Sequence, residues 1–194
     1  MVLKIVQLGE PVLRQKARAL TPDEIRSAAI RQLIELMRQT MYDAPGVGLA
    51  APQIGLPFQL AVLEDREELL KTMDPAALAE RERRPVPFTV LINPTIELDG
   101  EPVEFFEGCL SMAGFTAIVP RALRARVECL DHNGEPAVIE ASGWHARILQ
   151  HEIDHLHGTV YVDRMLPRSL MTADNLTRYW KTKPVADIKR LLGL

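Results

Sequence analysis

Residues 150–158 read QHEIDHLHG, and no other stretch restricts the fold as much. His151 and His155 are four residues apart with Glu152 between them, the H-E-x-x-H pattern of a helical metal site. On a helix, residues four apart share a face, so both imidazoles can reach one ion. Glu152 is rotated about 100° from His151, beside that ion without ligating it, where it can take a proton from water. Trp144, Ile148 and Leu149 mark a buried stripe on the same predicted helix, and the polar residues continue it. Polar groups on a core stripe are costly without partners, so a metal centre inside the fold explains the pattern better than a surface helix with scattered histidines. His157 lies off the shared face and reads as an ordinary exposed histidine.

Such a centre needs a third protein ligand. One class of metallopeptidases continues H-E-x-x-H-x-x-G-x-x-H, but here Tyr161 stands where the last histidine belongs. The third ligand is therefore expected upstream, and Cys109 in EGCLS is the candidate. A free cysteine is usually a small core hydrophobe. Cys129 fits that description, alternating with Glu128 in a strand pattern, whereas Cys109 follows a glycine at a predicted strand end. One thiolate and two imidazoles leave a coordination position open, as hydrolysis requires. Gln53 in GVGLAAPQIG is a side-chain amide in an apolar stretch, which needs a partner if buried or can face a developing oxyanion. That segment lacks the G-K-[ST] of a phosphate loop. A metalloendopeptidase and a structural or sensing metal domain remain open on these residues alone; Glu152 and Gln53 have no clear role in the latter.

The rest of the chain predicts an α+β fold: antiparallel β-sheets packed around a central helix in the C-terminal half that carries H-E-x-x-H, with an N-terminal helix. That first helix is expected over Thr21–Met41, with Thr21 as N-cap, Pro22 at the first position and Glu24 completing a capping box. Ile25, Ala29, Leu33, Met37 and Met41 give its stripe, widened by Ile30 and Ile34. A strand is expected over Gln59–Leu63, and the charged run Glu80–Arg84 is expected to be a solvated loop or short helix. PFTVLIN is expected to end at Pro94, and Asp99-Gly100 and Asn133-Gly134 are hairpin signals. Ser142 or Gly143 opens the second helix, Gly158 ends it, and VADIKRLLGL forms a last one. One domain over 1–194 is expected, with a core of about 1–167 and a tail of 168–194. A net charge of −3 argues against a basic nucleic-acid surface, and two cysteines make no disulfide framework. The N-terminus lacks a signal-peptide pattern and no stretch approaches a membrane span, so the expected location is cytoplasmic.

Taken together, GVGLAAPQ (46–53), EGCLS (107–111) and QHEIDHLHG (150–158) resemble the three signature motifs of the peptide deformylases, in the same order and approximate spacing. The resemblance runs from PVLRQKA to about Pro167. Ala113-Gly114-Phe115 and ASGWHARILQHE are similar to the branch that includes organellar deformylases. Thr116 stands where the other bacterial branch often has an arginine that touches the substrate backbone. The resemblance implies that Cys109, His151 and His155 bind the metal and that Glu152 is the general acid and base. It implies that Gln53, through its side chain, and Leu110, through its backbone N–H, form the oxyanion hole. Gly46, Val47 and Gly48 would line the peptide cleft, where an extended substrate adds to a strand. Phe105, Trp144 and Ile148 would form the methionine pocket, and Glu107 and Gly114 are included among the substrate-binding residues. Glu107 is also expected to pair with Arg121. The implied activity is hydrolytic removal of the N-formyl group from formyl-methionine of new proteins, by metal-bound hydroxide with Glu152 moving the proton. The implied cofactor is one divalent metal, Fe²⁺ in the cell, with Zn²⁺, Ni²⁺ or Co²⁺ able to use the same ligands. N-formyl-methionyl peptides and nascent chains are the implied partners. Docking of the tail on the ribosome and a homodimer are left open.

Overall fold

A computed structural model describes all 194 residues. Its centre is one antiparallel sheet in the order β1-β2-β3-β4-β5, with β6 pairing on β4. These strands are β1 (Gly48–Ala50), β2 (Leu60–Asp65), β3 (Val86–Cys109), β4 (Met112–Leu130), β5 (Pro136–Ser142) and β6 (Met171–Thr172). Four helices precede β3: α1 (Pro22–Arg26), α2 (Ala28–Asp43), α3 (Glu67–Leu70) and α4 (Pro75–Glu80). Three follow β5: α5 (Gly143–Leu156), α6 (Ala173–Asn175) and α7 (Val185–Leu192).

The alternation of side chains along β2 and β3 decides where the helices lie. Ala61, Leu63 and Leu91 pack with Ile148, Leu149, Ile153 and Leu156 of α5. Their neighbours Leu60, Val62, Val90 and Ile92 pack with Ile30, Ile34, Met37 and Met41 of α2. The sheet is therefore covered by a helix on each face, and β2 opens with the apolar run LAVL, because both its faces are buried there. Each fully buried Leu or Ile contributes roughly 1.5–3 kcal/mol.

Four expectations come out differently. The helix expected over Thr21–Met41 is two helices, although the Thr21–Glu24 capping box forms as read. Ser27, extended at φ −68° and ψ 150°, ends α1, and its side chain caps α2 at Ile30 N. Ala29 is thereby left exposed, and the buried stripe starts at Ile30. The strand expected to stop at Pro94 continues through it, because Asn93 adopts φ 51° in a register shift between Ile92 and Thr95. The Asn93 side chain also accepts from Leu20 N and donates to Leu20 O.

Nor is there a hairpin at Asp99-Gly100. Asp99 pairs with Arg124 and Pro102 with Ala122 across a bulge, with Gly100 at φ +82°. A left-handed glycine serves a bulge as well as a tight turn. The chain reverses instead at Leu110-Ser111, between β3 and β4. Asn133-Gly134 does form the β4–β5 turn, with Gly134 N–H donating to Asp131 O. The charged run at 80–84 is not simply solvated either. Arg83 makes two hydrogen bonds to the fully buried Asp65, and the Arg81 guanidinium lies over the rings of Phe105 and Trp144.

Candidate active site

From Ala146 to Leu156 every residue of α5 is buried except His151, which is partly exposed. A helix enclosed on all sides must satisfy each polar side chain it carries. Gln150 does so by bracketing Ala122, accepting from its N–H and donating to its C=O, which ties α5 to the middle of β4. Asp154 accepts from Arg121 and Arg164. Arg147 donates to Glu107 and to the Val119 and Val103 carbonyls. The two histidines face Cys109, at the turn that ends β3.

At that turn, Cys109, His151 and His155 bring one ligand atom each to within 4.8 Å of one another. Cys109 Sγ lies 3.3 Å from His155 Nε2. In a tetrahedral centre with ordinary bond lengths, ligand atoms sit roughly 3.3–3.6 Å apart. A thiolate and two imidazoles are also donors that divalent transition metals accept, so the residues fit such an ion. Nδ1 of His151 is 3.1 Å from Glu107 Oε2, which turns Nε2 towards the ligand cluster. Glu107 in turn takes both ends of the Arg121 guanidinium and one bond from Arg147. The expected Glu107–Arg121 pair is therefore present, within a larger buried network.

Burial opposes charge on Glu107, but the hydrogen bond from His151 and the Arg121 cation hold its carboxyl well below the usual range. The same burial disfavours charge on His151, yet its bonds to Cys109 and Glu107 keep its pKa well above the ordinary value. His155 has no such carboxylate partner, and burial pushes its pKa well down. Burial pushes the Glu152 carboxyl up to about 7. Its Oε2 is buried with no hydrogen-bond partner, so it is free to take or give a proton. Gly48 makes room for this carboxylate: a Cβ there would lie 2.2 Å from Glu152 Oε1. Gln53, 1% exposed, accepts from Ala50 N–H through Oε1 and aims Nε2 at Cys109 Sγ, 3.4 Å away, and at Ser111 Oγ. Its amide donor is thus held beside the ligand cluster.

These groups open into a cavity of about 810 Å³. Gly46, Val47, Gly48, Gln53, Leu110 and Gly114 line it, as do Glu107, Cys109, Trp144, Ile148, His151 and Glu152. His155 lies beneath, 1% exposed. Phe105 is the exception among the expected residues. Trp144 and Arg147, which line the cavity, stand against its ring, so Phe105 backs the wall instead of forming it. The neighbouring Phe106 lines the cavity, as do Arg147 and Phe115, none of them singled out from the sequence as pocket residues, and so does Thr116, noted there for the arginine of the other branch. The paired aromatics of EFFEG were the available signal, but alternation alone does not say which of two adjacent rings meets the cavity. Tyr161, at the metallopeptidase ligand position, is buried, stacks on His151 and bonds Met112 Sδ through its hydroxyl.

The polypeptide deformylase family model matches residues 2–170. The chloroplastic peptide deformylase 1A of Solanum lycopersicum is 48% identical over 173 residues, covering 89% of this chain and 62% of that protein. The chain thus spans less than two thirds of the length of this plant relative. A peptide deformylase of Synechococcus elongatus, solved with actinonin, superposes with a TM-score of 0.72 at 40% identity, covering 84% of this chain and 80% of that one. A class I type b peptide deformylase of Acinetobacter baumannii, solved with Met-Ala-Ser bound, gives a TM-score of 0.75 at 31% identity, covering 85% and 99%.

Proposed function

The chain belongs to the polypeptide deformylase family, and from that premise we propose that it removes the formyl group from N-formyl-methionyl peptides, releasing formate. The observation that carries this reading is the unpartnered Oε2 of buried Glu152 beside the Cys109–His151–His155 cluster. Cys109 Sγ and the Nε2 atoms of both histidines would hold a divalent ion. When bound, that ion supplies Lewis acidity, bringing a water's pKa near neutral and polarising the formyl oxygen.

The residues of the chain do the rest. Glu152 takes the proton of the attacking water at Oε2. Gln53 Nε2 and the Leu110 backbone N–H donate to the oxygen that becomes negative as water adds to the formyl carbon. Glu152 then returns the proton to the amine nitrogen as the C–N bond breaks, leaving formate and a free N-terminus. Gly46, Val47 and Gly48 present backbone to an extended substrate. Trp144 and Ile148 supply apolar wall for the methionine side chain. Gly114 and Thr116 border the same cleft, and Glu107 acts through His151.

Fe²⁺ is the ion proposed for the cell; Zn²⁺, Ni²⁺ and Co²⁺ suit the same ligands. No helix is long and apolar enough to cross a membrane, and the proposed setting is the cytoplasm, with nascent chains as substrates and residues 1–194 acting as one catalytic domain. The higher identity to the chloroplastic 1A protein than to the type b enzyme supports the organellar-like branch.

The test is formate release from formyl-Met-Ala-Ser by protein purified without oxygen, beside a metal-loaded Glu152→Ala variant. Release by the wild type, lost in the variant at equal metal content, is expected. No formate from a wild type holding one metal per chain overturns the proposal.

A further inference from the structure

Resting on the deformylase reading, we infer that the segment after residue 170, beyond the family match, forms one wall of the cleft and selects among the side chains that follow the formylated residue. Leu176, Thr177 and Ala173 line the same cavity as Cys109 and Glu152. Contacts to β4 and to its neighbours bring them there. Leu166 N–H donates to Ile118 O, and the fully buried Ser169 Oγ accepts from Ile118 N–H at 2.8 Å. β6 then pairs with β4 at Phe115 and Thr116, two residues that border the cavity themselves. Thr172 caps α6 through Asn175 N–H. Leu176 packs against the cluster of Phe106, Ile118 and Ile188. On the far side, α7 is fastened by Ile188, 2% exposed, and by Lys189 on Glu104.

A segment held at both ends by buried groups is a fixed surface. Leu176 begins a π-helical turn, a local geometry frequent at functional sites. Its side chain joins Phe106 and the exposed Phe115 along one side of the cleft, and Thr177 is exposed beside it. The reacting carbon must sit at the Cys109–His151–His155 cluster, and the methionine pocket is walled by Trp144 and Ile148 on α5. The wall made by the tail is therefore met by chain beyond the methionine. Its chemistry is apolar at Leu176 and neutral at Thr177, so it favours uncharged side chains downstream.

The test uses the full metal-loaded chain and two substrate sets. N-formyl-methioninamide does not reach the tail; formyl-Met-Glu-Glu-Ser and formyl-Met-Lys-Lys-Ser do. Thr177→Lys should lower KM for the glutamate peptide and raise it for the lysine peptide, and Thr177→Glu should do the reverse. Each shift should be about two- to fivefold, smaller in high salt, with kcat and the methioninamide reaction unchanged. Leu176→Ala should raise KM for formyl-Met-Leu-Leu-Ser about fourfold, as if about one methylene's worth of the three carbons removed were buried by substrate, again sparing methioninamide. Parallel or absent KM shifts in the two Thr177 variants overturn the inference alone, since neither change touches the core. No turnover of any substrate by the wild type overturns the deformylase reading and this inference with it.

Discussion

Oε2 of Glu107 stands 3.1 Å from Nδ1 of His151, and the same carboxylate holds the guanidinium groups of Arg121 and Arg147. One buried anion therefore both orients His151, a proposed metal ligand, and pairs with two buried cations. Glu107→Ala removes the carboxylate partner of Arg147 and leaves Arg121 with Asp154 alone, which costs about 3–5 kcal/mol, and frees His151 to turn, which weakens metal binding about 10–100-fold. Denaturant unfolding and metal competition check both effects. Wild-type stability together with wild-type metal affinity would refute the role.

Gly48 and Glu152 cannot both stay in place once a methyl group is added. The new Cβ in Gly48→Ala would meet Glu152 Oε1 at 2.2 Å, so the carboxylate must shift. A displacement of about 1 Å at a reacting group costs on the order of 100-fold in rate. The expected result is a fall of that size in kcat with metal content unchanged. A variant at full kcat would show that the position of Glu152 does not matter.

Gln53→Leu removes the amide donor aimed at the ligand cluster. Loss of one oxyanion donor costs about 10²–10³ in kcat, with KM little affected because the interaction strengthens only as charge develops. Ala50 N–H also loses its acceptor, so a stability loss of about 1–3 kcal/mol accompanies it. An equal loss in KM with kcat spared would assign Gln53 to ground-state binding instead.

The metal-free protein should change stability with pH through Glu152. Its carboxyl titrates at about 7 in the fold, against about 4.3 when unfolded. A raised acid binds its proton more tightly folded than unfolded. Its contribution is therefore fully present below about pH 4.3 and is lost as pH rises through about 7, by roughly 4 kcal/mol at most. Between pH 5 and 8 the melting temperature of metal-free wild type should fall relative to that of Glu152→Gln. Added metal should shrink the difference, because a nearby cation favours the charged carboxylate. Parallel melting curves for the two metal-free proteins would remove Glu152 as the cause.

The sequence by itself determined what depends on local geometry. Four-residue spacing places His151 and His155 on one helix face in any helix, the Thr21–Glu24 box needs only its own four residues, and Asn133-Gly134 closes a turn between adjacent strands. The three motifs, by their order, pointed to Cys109 as the proposed third ligand and to Glu152 as the proposed general base. Tertiary structure decided the rest, because there the outcome depends on a partner distant in the chain. Gly100 takes a left-handed conformation suited to a hairpin or a bulge, and the pairing of Asp99 with Arg124 and Pro102 with Ala122 selects the bulge. Ser27 caps α2 and so splits what periodicity reads as one helix. Phe105 and Phe106 differ only in which neighbours reach them: Trp144 and Arg147 press on the first, while the second meets the cavity. The tail reaches the cleft only because β6 pairs with β4 across more than fifty residues of chain. Such contacts have no signature in spacing, since their partners are chosen by packing once the sheet has formed.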